Sequence, residues 1–189
     1  MEGSTLSVDD SFVEWPLNDE GVPYRQAARI VVFDSVGRIF LIKGHDIDDE
    51  AYSWWFTPGG GLENNESTRQ AAVRELREET GLVVETHRLI GPVLARYSTF
   101  HFAAKDRRQD EEFFIVHLDD TEAQAIVSDS GRQWTSLEEQ VLDEQRWWDL
   151  DELAKVQSDG QLVFPRDLID YAREWLDGWD GVCRTIVER

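Results

Sequence analysis

Residues 60–82 read GGLENNESTRQAAVRELREETGL, and no other stretch constrains the chain as much. Pro58 and the glycines Gly59, Gly60 and Gly61 end a short apolar run in a loop. A helix follows. Ser67 and Gln70 have the spacing of a capping box at its start, and Gly81 is the residue expected just past its end. Ala72, Val73 and Leu76 supply an apolar stripe at helical spacing, which commits that face to a core. Successive helical residues turn by about 100°, so Glu75, Glu78 and Glu79 project from another side together. Three carboxylates near the last turn repel one another and oppose the helix dipole, at a cost of roughly a few tenths of a kcal/mol per charge.

A divalent cation offsets that cost. Hard cations such as Mg²⁺ and Mn²⁺ take oxygen ligands and keep several waters, so a few carboxylates and the phosphate oxygens of a substrate complete their shell. A cation held this way polarises a phosphoryl oxygen and lowers the pKa of a bound water, which prepares displacement at phosphorus. A merely solvated acidic face is the plain alternative for an isolated string of glutamates. Here the glycines, the arginine and the spacing occur together.

The stretch fills every fixed position of G-x5-E-x7-R-E-U-x-E-E-x-G-U, where U is a bulky aliphatic residue. This is the Nudix box, and the chain resembles the Nudix hydrolases, with a likeness that extends to the preceding WWFTPGG and the β-rich flanks. The resemblance implies an α/β/α sandwich with a mixed β-sheet between helices, where the pattern of strands and helices alone says α+β or α/β. It implies that Glu78 and Glu79 are the main metal ligands, that Glu75 is a further ligand or the base, and that Arg74 orients Glu75 through a salt bridge. Glu66 then holds loop and helix together, the Gly60 carbonyl is a ligand, and Gly81 is structural. Gly60 and Gly61 suit the site independently, because glycine lets a backbone approach a ligand closely.

Some members draw a further glutamate from outside the box. Glu111 and Glu112, just before FFIVHL, are the candidates here, and solvation of both is the plainer reading. Arg29, Lys43 and Arg96 lie on expected strands and are candidate phosphate contacts, with Glu112 carried beside them as a candidate on the substrate side; surface salt bridges are the alternative. Trp54 or Trp55 is a candidate to stack on a base, against an ordinary core role. His45, His87, His101 and His117 lack the spacing of a metal site. The activity implied is Mg²⁺- or Mn²⁺-dependent hydrolysis of a diphosphate linkage in a nucleoside diphosphate joined to another moiety. That moiety stays open, because Pro92 and Tyr97 match no substrate signal in spacing. A silent nucleotide-binding regulator on the same fold is the alternative, and it sits poorly with an intact box and no basic helix-turn-helix. An isomerase of the same fold needs a reactive cysteine near the site, and Cys183 is near the end of the chain.

The formal net charge is −20, with three lysines among 19 basic residues, so the surface repels long nucleic acids and anionic membranes. A small phosphorylated nucleotide accompanied by cations remains a suitable partner. The first residues, MEGSTLSVDD, do not follow the basic-then-apolar order of a secretion signal, and a cytoplasmic location is expected. The single cysteine excludes an intrachain disulfide. Eight tryptophans are compatible with a homodimer, as is the frequency of pairing among relatives.

Residues 1–22 read as an arm packing through Phe12, Val13 and Trp15, and residues 23–189 as one domain that includes C-terminal helices. Residues 25–34 and 38–43 form an expected hairpin, 45–53 an acidic loop and 54–57 a short strand. Strand signals recur at 82–90, 93–102 and 111–118, with 105–111 as a connection. Residues 146–150 read as a strand, 151–156 as a helix, and Pro165 opens a last amphipathic helix to about residue 176.

Overall fold

The computed structural model describes residues 15–46, 49–101, 106–127 and 141–188. Phe12 and Val13 of the expected arm lie outside them. Trp15 is buried, with the Arg25 guanidinium 4.1 Å from its ring centroid.

Strand β1 (Tyr24–Phe33) is the axis of the sheet. Its Ile30, Val31, Val32 and Phe33 are wholly buried, as a strand covered on both faces requires. One edge pairs in parallel with β6 (Asp106–His117) along its whole length. The other edge is divided. Residues 27–29 face the short β4 (Gly59–Gly61), and Val32 and Phe33 face β2 (Ile39–Asp46). Strand β2 also pairs with β3 (Asp49–Phe56) and β7 (Leu142–Trp148). β5 (Ile90–His101) pairs with β6, β8 (Leu162–Phe164) with β3, and β9 (Arg184–Glu188) with β5. The order is β8-β3-β2-β1-β6-β5-β9, with β4 beside β1 and β7 beside β2. Through Thr57 and Pro58 the chain steps from the edge of β2 to the edge of β1, and the sheet divides there.

Helices α1 (Thr68–Thr80) and α2 (Asp120–Val127) cover one face through Ala71, Ala72, Leu76 and Ile126. Helices α3 (Leu150–Ser158) and α4 (Leu168–Leu176) cover the other through Leu153, Leu168, Ala172 and Trp175. The expected mixed sheet between helices is the architecture found. Among the described residues no helix is long and apolar enough to cross a membrane.

Helix α1 has the ends its residues dictate. The Ser67 side chain accepts the Gln70 N–H, the Gln70 side chain accepts the Ser67 N–H at 2.9 Å, and Gly81 at φ 76° donates to the Arg77 carbonyl. Ser67→Ala removes one acceptor from four otherwise unserved N–H groups. It should cost about 1 kcal/mol and lower Tm by roughly 2–4 °C for a chain of this size. A thermal melt checks this, and an unchanged Tm would count against the cap.

Five expectations are corrected. Residues 82–89 of the strand expected at 82–90 are not a strand: a 3-10 turn (Thr86–Arg88) precedes β5, and Arg69 of α1 serves the Leu89 and Gly91 carbonyls at 2.6 Å. The described residues of the acidic loop expected at 45–53 form a paired ribbon, His45 opposite Ser53 and Asp46 opposite Asp49, with Asp49 and Glu50 exposed. Of the connection expected at 105–111, the described residues 106–111 belong to β6, because β1 and β5 flank them and their polar groups find partners, Gln109 with Arg25 and Asp110 with Tyr24. Helix α4 begins at Leu168, after a turn in which the Pro165 carbonyl accepts the Leu168 N–H. Strand β7 starts four residues before the expected 146, and the short β8 and β9 were not foreseen.

Candidate active site

The glycine loop is built against α1. Gly59 has φ 139°, and a Cβ there would stand 2.1 Å from the Ala28 carbonyl oxygen, so both conformation and space require glycine. Its N–H donates to Glu79 Oε2 at 2.9 Å. At Gly60 a Cβ would stand 2.5 Å from Glu75 Oε1 and 2.7 Å from Oε2. The loop backbone therefore lies directly on the Glu75 carboxylate. Gly60 has an ordinary φ, so Gly60→Ala leaves the backbone unstrained and displaces that carboxylate. The expected result is a loss of activity, about tenfold or more for a misplacement on the order of 1 Å, with the thermal melt nearly unchanged. A fully active Gly60→Ala protein would sink this role.

Arg74 organises the acidic face. Its Nε and Nη2 meet the two oxygens of Glu66 at 3.0 Å, Nη1 meets Glu75 Oε1 at 2.8 Å and Glu78 Oε2 at 2.9 Å, and Nη2 donates to the Gly61 carbonyl at 2.8 Å. One guanidinium thus ties the helix to both ends of the loop and relieves repulsion between Glu75 and Glu78. Burial is the largest influence on Glu75 and raises its pKa, opposed by Arg74. For Glu66 burial acts upward, but Arg74 and the Glu63 N–H outweigh it and hold the carboxyl below its ordinary value.

Arg29 and Arg96 meet beneath the loop at a residue that the sequence left undecided. Glu111, 2% exposed, takes Arg29 Nε at 2.8 Å, Arg96 Nη1 at 2.6 Å and Gln109 Nε2 at 2.6 Å. Its burial alone would raise the pKa, but the two guanidiniums bring it below the ordinary 4.5. Arg29 Nη1 also donates to the Gly59 carbonyl at 2.8 Å, which anchors the loop from below. Glu112 points to the opposite face and accepts from Thr68 Oγ1 at 2.5 Å, so it serves the start of α1 and does not line the cleft. Lys43 does not line it either; it lies opposite Trp55 and Glu144 within the sheet. Glu188, Gln109 and Arg166 line the cleft and were missed. Glu188 binds Arg96 Nη2 at 2.5 Å and accepts the Arg166 N–H at 2.9 Å. Nothing in the local pattern around these residues signals it.

Apart from the buried Glu111 and from Glu112 and Lys43, these groups line one cleft of about 1390 Å³. Its lining holds Arg25, Arg29, Arg74, Arg96 and Arg166 against Asp46, Glu63, Glu66, Glu75, Glu78, Glu79 and Glu188, a net negative balance. Phosphate enters such a cleft favourably only with cations. Among the described residues no three Asp, Glu, His or Cys side chains form a ready-made metal cage, because Arg74 draws on Glu75 and Glu78 while Gly59 takes an oxygen of Glu79. A hexa-coordinate Mg²⁺ needs only one or two carboxylates beside waters and phosphate oxygens. The all-oxygen donors and the side-chain-free Gly60 backbone on Glu75 fit such an ion.

The family model described as NUDIX domain matches residues 23–167. An RNA pyrophosphohydrolase from Dinoroseobacter shibae is 45% identical over 64 residues, 34% of this chain and 38% of that protein. The chain thus spans well under half the length of that relative. The RNA pyrophosphohydrolase of Sphingopyxis alaskensis is 25% identical over 152 residues, 74% of this chain and 87% of that protein. Among solved structures, a MutT NUDIX hydrolase from Burkholderia pseudomallei superposes with a TM-score of 0.52 at 22% identity, covering 80% of this chain and 96% of the other, a likeness of fold alone. With an intact box, the fold it implies and a family model that spans most of its length, this chain belongs to the NUDIX domain family.

Proposed function

We propose that the chain is a cytoplasmic pyrophosphohydrolase that cleaves a diphosphate linkage in a small nucleotide with the help of Mg²⁺ or Mn²⁺. The observation that carries this reading is the Gly60 backbone lying on the Glu75 carboxylate, in a cleft lined as well by Glu78 and Glu79. Glu78, Glu79, Glu75 and the Gly60 carbonyl are the groups that hold the cation. When bound, it supplies Lewis-acid polarisation of a phosphoryl oxygen and a more acidic water. Arg74 fixes Glu75 and Glu78 in place. Arg29 holds the loop through the Gly59 carbonyl, and Glu111 holds Arg29. Glu75, beside Glu78 and Glu79 in the cleft, serves either as a further ligand to the cation or as the base that takes a proton from the attacking water.

The relatives named as RNA pyrophosphohydrolases favour a second reading, removal of pyrophosphate from an RNA 5′ end. The net charge of −20 weighs against holding a long polyanion. The deciding experiment separates and quantifies the products formed with Mg²⁺ or Mn²⁺, nucleoside monophosphate, sugar phosphate or pyrophosphate, from nucleoside triphosphates, dinucleoside polyphosphates, ADP-ribose, nucleotide sugars and 5′-triphosphorylated RNA. Turnover of a small nucleotide that exceeds turnover of the RNA supports the first reading, and the reverse order supports the second. Silence across the panel overturns both and leaves a nucleotide-binding regulator.

A further inference from the structure

We propose that Tyr52 and Trp54, on the wall of the same cleft, form the platform on which the base of the nucleotide stacks. This rests on the nucleotide reading above and assigns the end of the cleft that the phosphates do not use. In a strand, alternate residues share a face, so Tyr52, Trp54 and Phe56 of β3 point together and Trp55 points away. Trp55 meets the needs of the core: it is 4% exposed and packs edge-on against Trp148 with centroids 5.0 Å apart. Tyr52 is 49% exposed, and its ring lies 5.5 Å from that of Trp54 at an interplanar angle of 55°. Both line the cleft. The cross-strand neighbour of Trp54 is Gly44, so β2 places no side chain directly opposite the indole. Phe56 lies nearer the loop, with the Arg29 guanidinium 5.5 Å from its ring centroid.

Position and charge both favour a base at this end. Strand β3 runs straight into the glycine loop. At no more than about 3.6 Å per residue, Phe56 lies within roughly 11 Å of Gly59 and Trp54 within roughly 18 Å. A nucleotide with its phosphates at the Glu75, Glu78 and Glu79 face therefore extends along the wall toward these rings. On the ribbon around these rings Asp46, Asp49 and Glu50 carry negative charge, Asp143 of the neighbouring β7 is bonded to His45 at 2.9 Å, and Lys43, opposite Trp55, lies on the other face. Phosphate is repelled there, and a neutral planar ring is not. Recognition through aromatic faces rather than base edges makes the site tolerant of base identity, with purines ahead of pyrimidines because they present more surface.

The test uses the full chain with Mg²⁺ and two ligands that resist hydrolysis, α,β-methylene-ADP and base-free methylenediphosphonate, measured by calorimetry. Trp54→Ala should weaken α,β-methylene-ADP about tenfold or more and leave methylenediphosphonate unchanged. Tyr52→Ala should act in the same direction more weakly, and Trp54→Phe should restore most of the loss. Equal weakening of both ligands, no change in either, or a wild-type protein that prefers neither ligand would overturn the platform. Tyr52→Ala, altered at an exposed position, keeps the test decisive if Trp54→Ala misfolds. A chain that binds the nucleotide through these rings yet turns nothing over would sink the hydrolase reading and leave the platform standing.

Discussion

Glu79→Gln should lower metal-dependent kcat/KM by about 100-fold or more, since loss of groups that merely orient a ligand already costs 10–100-fold; that is a barrier increase of roughly 2.7 kcal/mol. The substitution isolates charge from shape. The introduced amide keeps an oxygen that can accept the Gly59 N–H, so the loop stays docked and a thermal melt should show little change. Glu78→Gln should have a comparable effect on rate, and there the loss of charge also loosens the Arg74 bridge. Raising Mg²⁺ or Mn²⁺ should recover part of the lost rate in either variant. Turnover within about threefold of wild type for both would show that the carboxylate face is not where the cation is held.

Glu111→Gln is expected to destabilise the fold more than any other single isosteric change. Glu111 is the buried anion between Arg29 and Arg96, and its neutralisation leaves two guanidiniums together with one charge fewer to balance them. Removing one partner of a buried ion pair costs about 3–5 kcal/mol. For this length that corresponds to a fall in Tm on the order of 10 °C. Glu188 still balances Arg96, which favours the lower end of the range. The effect depends on pH with a definite sign. The folded pKa of Glu111 lies below its ordinary 4.5, so its stabilisation is complete above about that pH and is lost as pH falls through the lower folded value. Wild type should therefore lose stability steeply in acid, and Glu111→Gln less steeply over the same window. Parallel acid profiles of the two proteins would place the acid sensitivity elsewhere.

Glu111 also shows where the reading of the sequence stopped. Two adjacent glutamates on a strand point to opposite faces, and nothing local says which face is the cleft. The parallel register of β6 with β1, Ala27 opposite Glu111 and Ala28 opposite Glu112, decides it. One glutamate goes beneath the loop to the arginines and the other to Thr68 at the start of α1. Trp54 and Trp55 pose the same problem, settled by which face of β3 meets Trp148. Lys43 illustrates the converse: Gly44 and His45 beside it line the cleft, but Lys43 lies opposite Trp55, on the face of the ribbon turned away from the site.

Helix α1, its caps, its apolar stripe and its acidic face were all legible in the residues, because they depend on positions within four of one another. So were the glycines whose lack of a side chain the loop requires. That Gly60 rests on Glu75, that Arg29 and Arg96 converge on Glu111, and that Glu188 reaches the cleft from β9 emerged only once the chain was folded. Those contacts join strands far apart in the chain. Their formation depends on the order and register of the sheet, and hydrophobic burial and backbone pairing choose these over the whole molecule, not residue by residue.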